Sequence, residues 1–232
     1  MSGGGILDGQ GKAAWECRES KKCTKLPNNL SFNSLTNSII KDITTLDSKS
    51  FDVNVNQCKN LTFLNFNVSA PASSPNTDGI HISRSSSVNV TDSNFATGDD
   101  CISIGNETEQ LYITKVTCGP GYGISVGSLG GNPDEKLVLP SQVKISKVTF
   151  LNIKGTSRTQ SVVSLICSKG SPCESVEVGD IDISYSGKEG PAKSSCENIK
   201  PNFKGKQSPA ICSASASDPA AAAPAPAPSS SS

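Results

Sequence analysis

The chain has 232 residues, 34% of them hydrophobic, which is enough for a full core; no apolar run is long enough to span a membrane. Lys plus Arg and Asp plus Glu are both 21, so no net field draws the chain to nucleic acid or to a lipid surface, and neither is an expected partner. Aromatics are few, Ser, Thr, Asn and Gly are plentiful, and long amphipathic helical patterns are absent, which favours an all-β chain with many turns.

Residues 3–15, GGGILDGQGKAAW, read as a glycine-rich coil, followed by a loop holding Cys17 and Cys23. The opening MSGGGILDGQG has neither the basic nor the apolar segment of an export signal. From residue 38 a block recurs with apolar residues at its first, third, sixth and eighth positions. Its copies are Leu61-Phe63-Phe66-Val68, Val88-Val90-Ser93-Phe95, Leu111-Ile113-Val116-Cys118, Val143-Ile145-Val148-Phe150 and Val176-Val178-Ile181-Ile183, with Ile40 and Ile43 an imperfect earlier copy. This spacing predicts two short strands separated by a bend. Each block is followed by another short apolar strand: Phe51–Val55, Gly79–Ile82, Cys101–Ile104, Gly123–Val126 and Val162–Ile166 follow in turn.

Units of about three strands, repeated and stacked, make a right-handed parallel β-helix over residues 1–212, the hand coming from the crossover rule. A β-sandwich also has strands every ~8–12 residues, but it does not explain a fixed spacing of 22 residues between Asp78, Asp100 and Tyr122. The wider interval between Leu111 and Val143, which holds NPDEKLVLPSQ, marks an irregularity. Residues 213–232 alternate Pro, Ala and Ser and are expected to form a disordered tail.

The 22-residue spacing also points to chemistry. Asp78 is followed by Gly-Ile-His-Ile, Asp100 by Cys-Ile-Ser-Ile and Tyr122 by Gly-Ile-Ser-Val. On stacked coils, equivalent positions lie one strand spacing apart, roughly 4.8 Å. Asp78, Asp100 and Tyr122 should then form a column, with Asp99 beside it. Carboxylates this close raise at least one pKa, so one group holds a proton while another stays ionised. An acid and a base across one bond are what glycoside hydrolysis needs. Taken singly, Asn-Thr-Asp-Gly and Gly-Asp-Asp are turn formers, and clustered Asp oxygens also suit calcium. His81, the single histidine, alternates with Ile80 and Ile82 and reads as an outward polar strand position. The run GPGYGISVG lacks the glycine spacing of a phosphate loop.

Nine cysteines show no paired CxxC spacing and read as a disulfide framework. Cys17 with Cys23, Cys167 with Cys173, and Cys196 with Cys212 are locally spaced; Cys101 and Cys118 lie on neighbouring repeats, and Cys58 is left over. Sequons begin at Asn29, Asn60, Asn67, Asn89 and Asn106. Both signals point to a secreted protein.

The strings Asn76-Thr77-Asp78, Gly98-Asp99-Asp100, Cys118-Gly-Pro-Gly121 and Gly123-Ile-Ser-Val-Gly-Ser-Leu-Gly130 resemble the polygalacturonases of glycoside hydrolase family 28. The opening GGGILDGQGKAAW, DITTLDSKSF and CSKGSPCESVEVGDIDISYSG extend the resemblance to about Ser186, closest in character to plant pollen exopolygalacturonases. The resemblance implies a right-handed β-helix, secretion to the cell wall, a monomer, and inverting hydrolysis of α-1,4 bonds in de-esterified pectin, polygalacturonate being the partner and no cofactor being needed. It implies that Asp99 is the general acid and that Asp78 and Asp100 activate water, with Asn76, Tyr122, Gly123 and Ser125 binding substrate. One strand spacing between Asp78 and Asp100 is shorter than the roughly 6.5–9.5 Å of inverting pairs, so the working distance is expected from Asp99 to its partners.

Two departures stand out. The family has Gly-His-Gly where this chain has Gly121-Tyr122-Gly123, and its Arg-Ile-Lys tripeptide is missing; the only arginines are Arg18, Arg84 and Arg158. Without that cation pair, weak or absent turnover is expected, and a vestigial pectin-binding β-helix is the alternative function. A pectate lyase would need calcium and a basic catalytic residue, and the column offers no Arg or Lys.

Overall fold

A computed structural model describes residues 1–20, 22, 23, 25–126, 145–167 and 169–212. Six long strands dominate it: β3 (Thr36–Leu46), β5 (Lys59–Ser69), β7 (Ser86–Ala96), β9 (Glu109–Cys118), β11 (Ser146–Thr156) and β13 (Glu174–Ser184). They lie side by side and parallel, between β1 (Ile6–Asp8) and β15 (Asn202–Ser208) at the two ends. Five short strands, β2 (Leu30–Asn33), β4 (Val53–Asn56), β6 (Ile80–Ser83), β8 (Asp100–Ile104) and β10 (Gly123–Val126), form a second parallel sheet. A third sheet pairs β12 (Ser161–Ile166) with β14 (Lys193–Glu197). Odd strands build one face and even strands the other, so the chain climbs one coil per pair. This is the parallel β-helix that the repeats predict.

The long strands explain the block pattern. Leu61 and Phe63 point inward, Asn65 takes a left-handed φ of 50°, and Phe66 and Val68 point inward again. One left-handed residue shifts the alternation, so both halves bury their apolar side chains. Asp42, Asn65, Asp92, Lys115, Asn152 and Asp180 form the column of bends, all at positive φ. Asn and Asp tolerate that region better than other non-glycine residues. Neighbours in the column also bond, as in Asn65 Nδ2 to Asp42 Oδ1 at 2.9 Å and Lys115 to Asp92 at 3.5 Å. Where two short strands were expected, the structure thus has one bent strand with continuous pairing.

The lumen is filled by these residues and by the inward residues of the short sheet: Val53, Val55, Ile80, Ile82, Ile102 and Ile104 are fully buried. Phe63 and Phe66 meet edge to face, their centroids 5.4 Å apart. Burial of each such side chain contributes about 1.5–3 kcal/mol. The disulfides Cys17–Cys23, Cys101–Cys118, Cys167–Cys173 and Cys196–Cys212 are formed, and Cys58 is a buried thiol.

Two expectations need correction. The fourth block is out of phase: Val148, not Val143, stands opposite Leu111, and Phe150 stands opposite Ile113. Val148 and Phe150 fit the apolar spacing in either frame, and only pairing with β9 selects one. Residues 12–19, assigned from sequence to a coil and a cysteine loop, form a helix, α1 (Lys12–Glu19). Its Trp15 indole N–H donates to the Ser48 carbonyl at 2.9 Å, tying it to the first coils. The irregular segment 132–142, the strings at 127–130 and the tail 213–232 lie outside the described residues. Across that interval β11 pairs directly with β9, while β10 and β12 lie in separate sheets. A small apolar cavity of about 50 Å³ remains there, lined by Ile124, Val126, Phe150 and Leu165 among others.

Candidate active site

The acidic residues lie at the N-terminal ends of the short strands. Val53 is opposite Ile80, and Ile80 opposite Ile102, which puts Asp78 opposite Asp100 on adjacent coils. Backbone bonds hold this register: the Gly79 N–H donates to the Asp100 carbonyl at 2.9 Å, and the Asp52 N–H to the Asp78 carbonyl at 2.8 Å. The third member of the expected column is displaced. The ladder slips by one residue, so Gly123 rather than Tyr122 faces Asp100, and Ile124 faces Ile102. Gly123, at a φ of +94°, supplies the backbone that a side chain would resist. The Tyr122 N–H still donates to the Asp99 carbonyl at 3.0 Å, but its ring is exposed.

The turns around Asp99 are tightly held. The Thr77 hydroxyl accepts from the Gly98 N–H at 3.0 Å and shares a 2.7 Å bond with Ser74. The Thr97 hydroxyl donates to the Asp99 carbonyl at 2.8 Å. A Cβ at Gly98 would run into the Ser74 backbone, and one at Gly121 into the Asp99 carbonyl, so both positions need glycine for close approach. Asn76 sits half-buried in the same turn, in a left-handed conformation.

Burial raises two of the carboxyls. Asp78 is pushed up to about 7, chiefly by loss of water; a hydrogen bond from Ser103 opposes this, and the charges of Asp99 and Asp100 add to it. Asp100 is pushed up to about 6 by burial, opposed by the Ser125 hydroxyl, which donates to its Oδ2, and raised further by Asp99. Such mutual influence requires that the three carboxylates share one site.

Several neighbours were not singled out from the sequence. Ser103 lies 2.8 Å from His81 Nδ1 as well as bonding Asp78, and the Phe51 ring stacks on His81 at 5.1 Å. Ser103 was legible, because His81, Ser103 and Ser125 occupy equivalent places in the aligned repeats and stand opposite one another on β6, β8 and β10. Asp52, fully buried on the preceding coil, is pushed up to about 7 by burial, with Asp47 and Asp78 adding to this and Thr45 and Asn29 opposing it. Its Oδ2 makes no hydrogen bond among the described residues.

The column was expected to lack a cation, yet Arg158 reaches its edge. Its guanidinium lies over the Tyr122 ring, 5.4 Å from the centroid, and Nη1 donates to the carbonyls of Ala72 and Gly98. Nothing in the sequence marked it, since it arrives from the coil beyond residues 127–144. Of the sequons, Asn106 is buried, and the Asn29 amide donates to the Leu46 carbonyl, so neither presents a free amide.

The family profile described as Glycosyl hydrolases family 28 matches residues 1–139 and 135–212. A polygalacturonase of Nicotiana tabacum is 66% identical over 278 aligned residues, covering 93% of this chain and 70% of that protein. An exopolygalacturonase of Oenothera organensis is 45% identical, covering 92% of this chain and 77% of the relative. The alignment of 278 positions is longer than the 232-residue chain, so the tobacco relative carries positions absent here. The two family matches meet at residues 135–139, inside the interval already noted. The structure of an endo-xylogalacturonan hydrolase from Aspergillus tubingensis superimposes with a TM-score of 0.61 at 20% identity, over 86% of this chain and 59% of that one, and shows the shared fold. With a profile match running from residue 1 to 212 and identities of 66% and 45%, the chain belongs to the glycosyl hydrolases of family 28.

Proposed function

We propose that the chain is a polygalacturonase that hydrolyses α-1,4 bonds between galacturonate units of de-esterified pectin. The observation that carries this reading is the pair of a buried Asp78 and a half-buried Asp100, opposite each other on adjacent coils and both raised toward neutrality, with Asp99 beside them. In this reading Asp99 gives its proton to the glycosidic oxygen as the bond to the leaving sugar breaks. Ionised Asp78 and Asp100 take a proton from the attacking water, which enters on the opposite face and inverts the anomeric carbon. A base with a pKa near the working pH combines ionisation with proton affinity, which is what burial gives these two groups.

Asn76, Gly123 and Ser125 line the approach, and Tyr122 with Arg158 forms its edge. Arg158 supplies a positive charge for the substrate carboxylate, but part of its hydrogen-bonding capacity is taken by the Ala72 and Gly98 carbonyls. A full cation pair would add charge-assisted hydrogen bonds of about 1.5–3 kcal/mol each, so turnover is expected to be weaker than in a family member with both cations. The disulfides and the plant relatives support action outside the cell; the cell wall and a monomeric state belong to this proposal.

Release of reducing ends from de-esterified polygalacturonate, with fully methyl-esterified pectin as control, tests this. Release from the first substrate alone is expected. Binding of the polymer with no release at any pH would leave the non-catalytic pectin-binding reading in its place.

A further inference from the structure

Beside the carboxylates, toward the C-terminal ends of the short strands β4, β6 and β8, the outer face of the short sheet is hollowed into a polar cavity of about 310 Å³. Asn54 and Asn56 of β4, His81 of β6, and Phe51, Arg84 and Asn106 provide most of its wall. Arg84 is the only charged residue in that lining. It is half-buried, and among the described residues its guanidinium makes neither an ion pair nor a hydrogen bond. Its backbone holds a left-handed φ of 48°, with its N–H bonded to the Asn106 carbonyl at 2.8 Å, which sets the origin of the side chain at the cavity wall.

A half-buried guanidinium without a protein anion is matched by a ligand carboxylate, which it can grip with two parallel bonds. The amides of Asn54 and Asn56 offer donors and acceptors suited to ring hydroxyls. The stacked Phe51 and His81 rings, 5.1 Å apart, give an apolar surface for the C–H face of a sugar. The cavity also joins the acidic site: His81 Nδ1 is 2.8 Å from the Ser103 hydroxyl, which bonds Asp78. Its volume lies at the small end of the ~300–1,000 Å³ range of ligand pockets, which suits one or two sugar rings.

From these observations we infer that the Arg84 cavity is a binding site for a single uronate unit of the polysaccharide, beside the cleavage point and toward the C-terminal ends of the short strands. Arg84 holds the carboxylate, and the asparagines hold the hydroxyls. This rests on the proposed pectic substrate and adds where, and by which charge, a sugar distant from the scissile bond is held.

Calorimetry on the full chain carrying Asp99→Asn, which removes turnover, separates the possibilities. Trigalacturonate and its neutral counterpart galactotriose are titrated, then repeated with Arg84→Gln added. The added change is expected to weaken trigalacturonate at least tenfold, with galactotriose unaffected and Arg84→Lys recovering part of the loss. Asn54→Asp, which places a carboxylate in the same wall, is expected to act in the same direction by repulsion. No preference for the charged trimer, or an equal loss for both trimers, would overturn the assignment. A chain that binds trigalacturonate through Arg84 yet releases no reducing ends would remove the hydrolytic reading and leave this site standing.

Discussion

Ser103 offers the sharpest probe of the proposed base. Its hydroxyl lies between Asp78 and His81, and its bond to Asp78 is the main influence holding that carboxyl down against burial. A hydrogen bond to a charged group contributes about 1.5–3 kcal/mol, and one pKa unit corresponds to about 1.36 kcal/mol. Ser103→Ala should therefore raise the Asp78 pKa, already about 7, by roughly one to two units. Asp78 accepts a proton only when ionised, so the acid limb of kcat/KM must move to higher pH. Asp78 and Asp100 influence one another, so the limb reports the pair rather than one residue. Initial rates of reducing-end release between about pH 4 and 9 measure this shift. At about pH 5 the variant should be slower by roughly tenfold or more, with the difference shrinking on the alkaline side. A uniform drop at all pH values, or an acid limb that stays where it was, would refute the role given to Asp78.

Asp52 tests the electrostatics without touching substrate. Its folded pKa of about 7 lies above the ordinary 3.8, so the folded state holds this proton more tightly than the unfolded chain does. Stability therefore falls as pH rises from about 4 to about 7, by up to about 4 kcal/mol. Asp52→Asn should raise the melting temperature at pH 8 and leave it nearly unchanged at pH 4; the opposite ordering would show that the carboxylate is better paired than the structure indicates. Arg158→Gln should raise KM for polygalacturonate about tenfold, with a smaller effect at high salt, because the contact is ionic and Arg158 is exposed. An unchanged KM would remove Arg158 from the substrate path.

The coil repeat was legible because a parallel β-helix buries the same positions on every turn. Leu61, Val88 and Leu111 recur as the inward start of β5, β7 and β9, and a bend residue returns between the two apolar pairs. The bend itself is written as Asn or Asp at most of its positions. The phase of β11 was not legible, because Val148 and Phe150 satisfy two frames and only the stacked neighbour decides between them. Helix α1 escaped because it is short and buries none of its residues, so it leaves no periodic apolar signal.

In the site, the equal spacing from Asp78 to Asp100 gave the register correctly, since no residue is inserted between their coils. The same spacing failed at Tyr122, where the ladder slips at a left-handed glycine. Arg158 was invisible for a different reason. Its closeness to Tyr122 depends on which coil follows β9, and that is a property of the stack rather than of any local string.

Turnover of polygalacturonate by the unaltered chain and by Asp99→Asn, compared at one near-neutral pH with melting temperatures in parallel, bears most directly on the acidic cluster as a catalytic site. The expected result is measurable reducing-end release that falls by roughly 10²–10⁴ in the variant, the range for losing a general acid, with melting temperature little changed. Equal rates for the two proteins would contradict it, whatever family the chain belongs to.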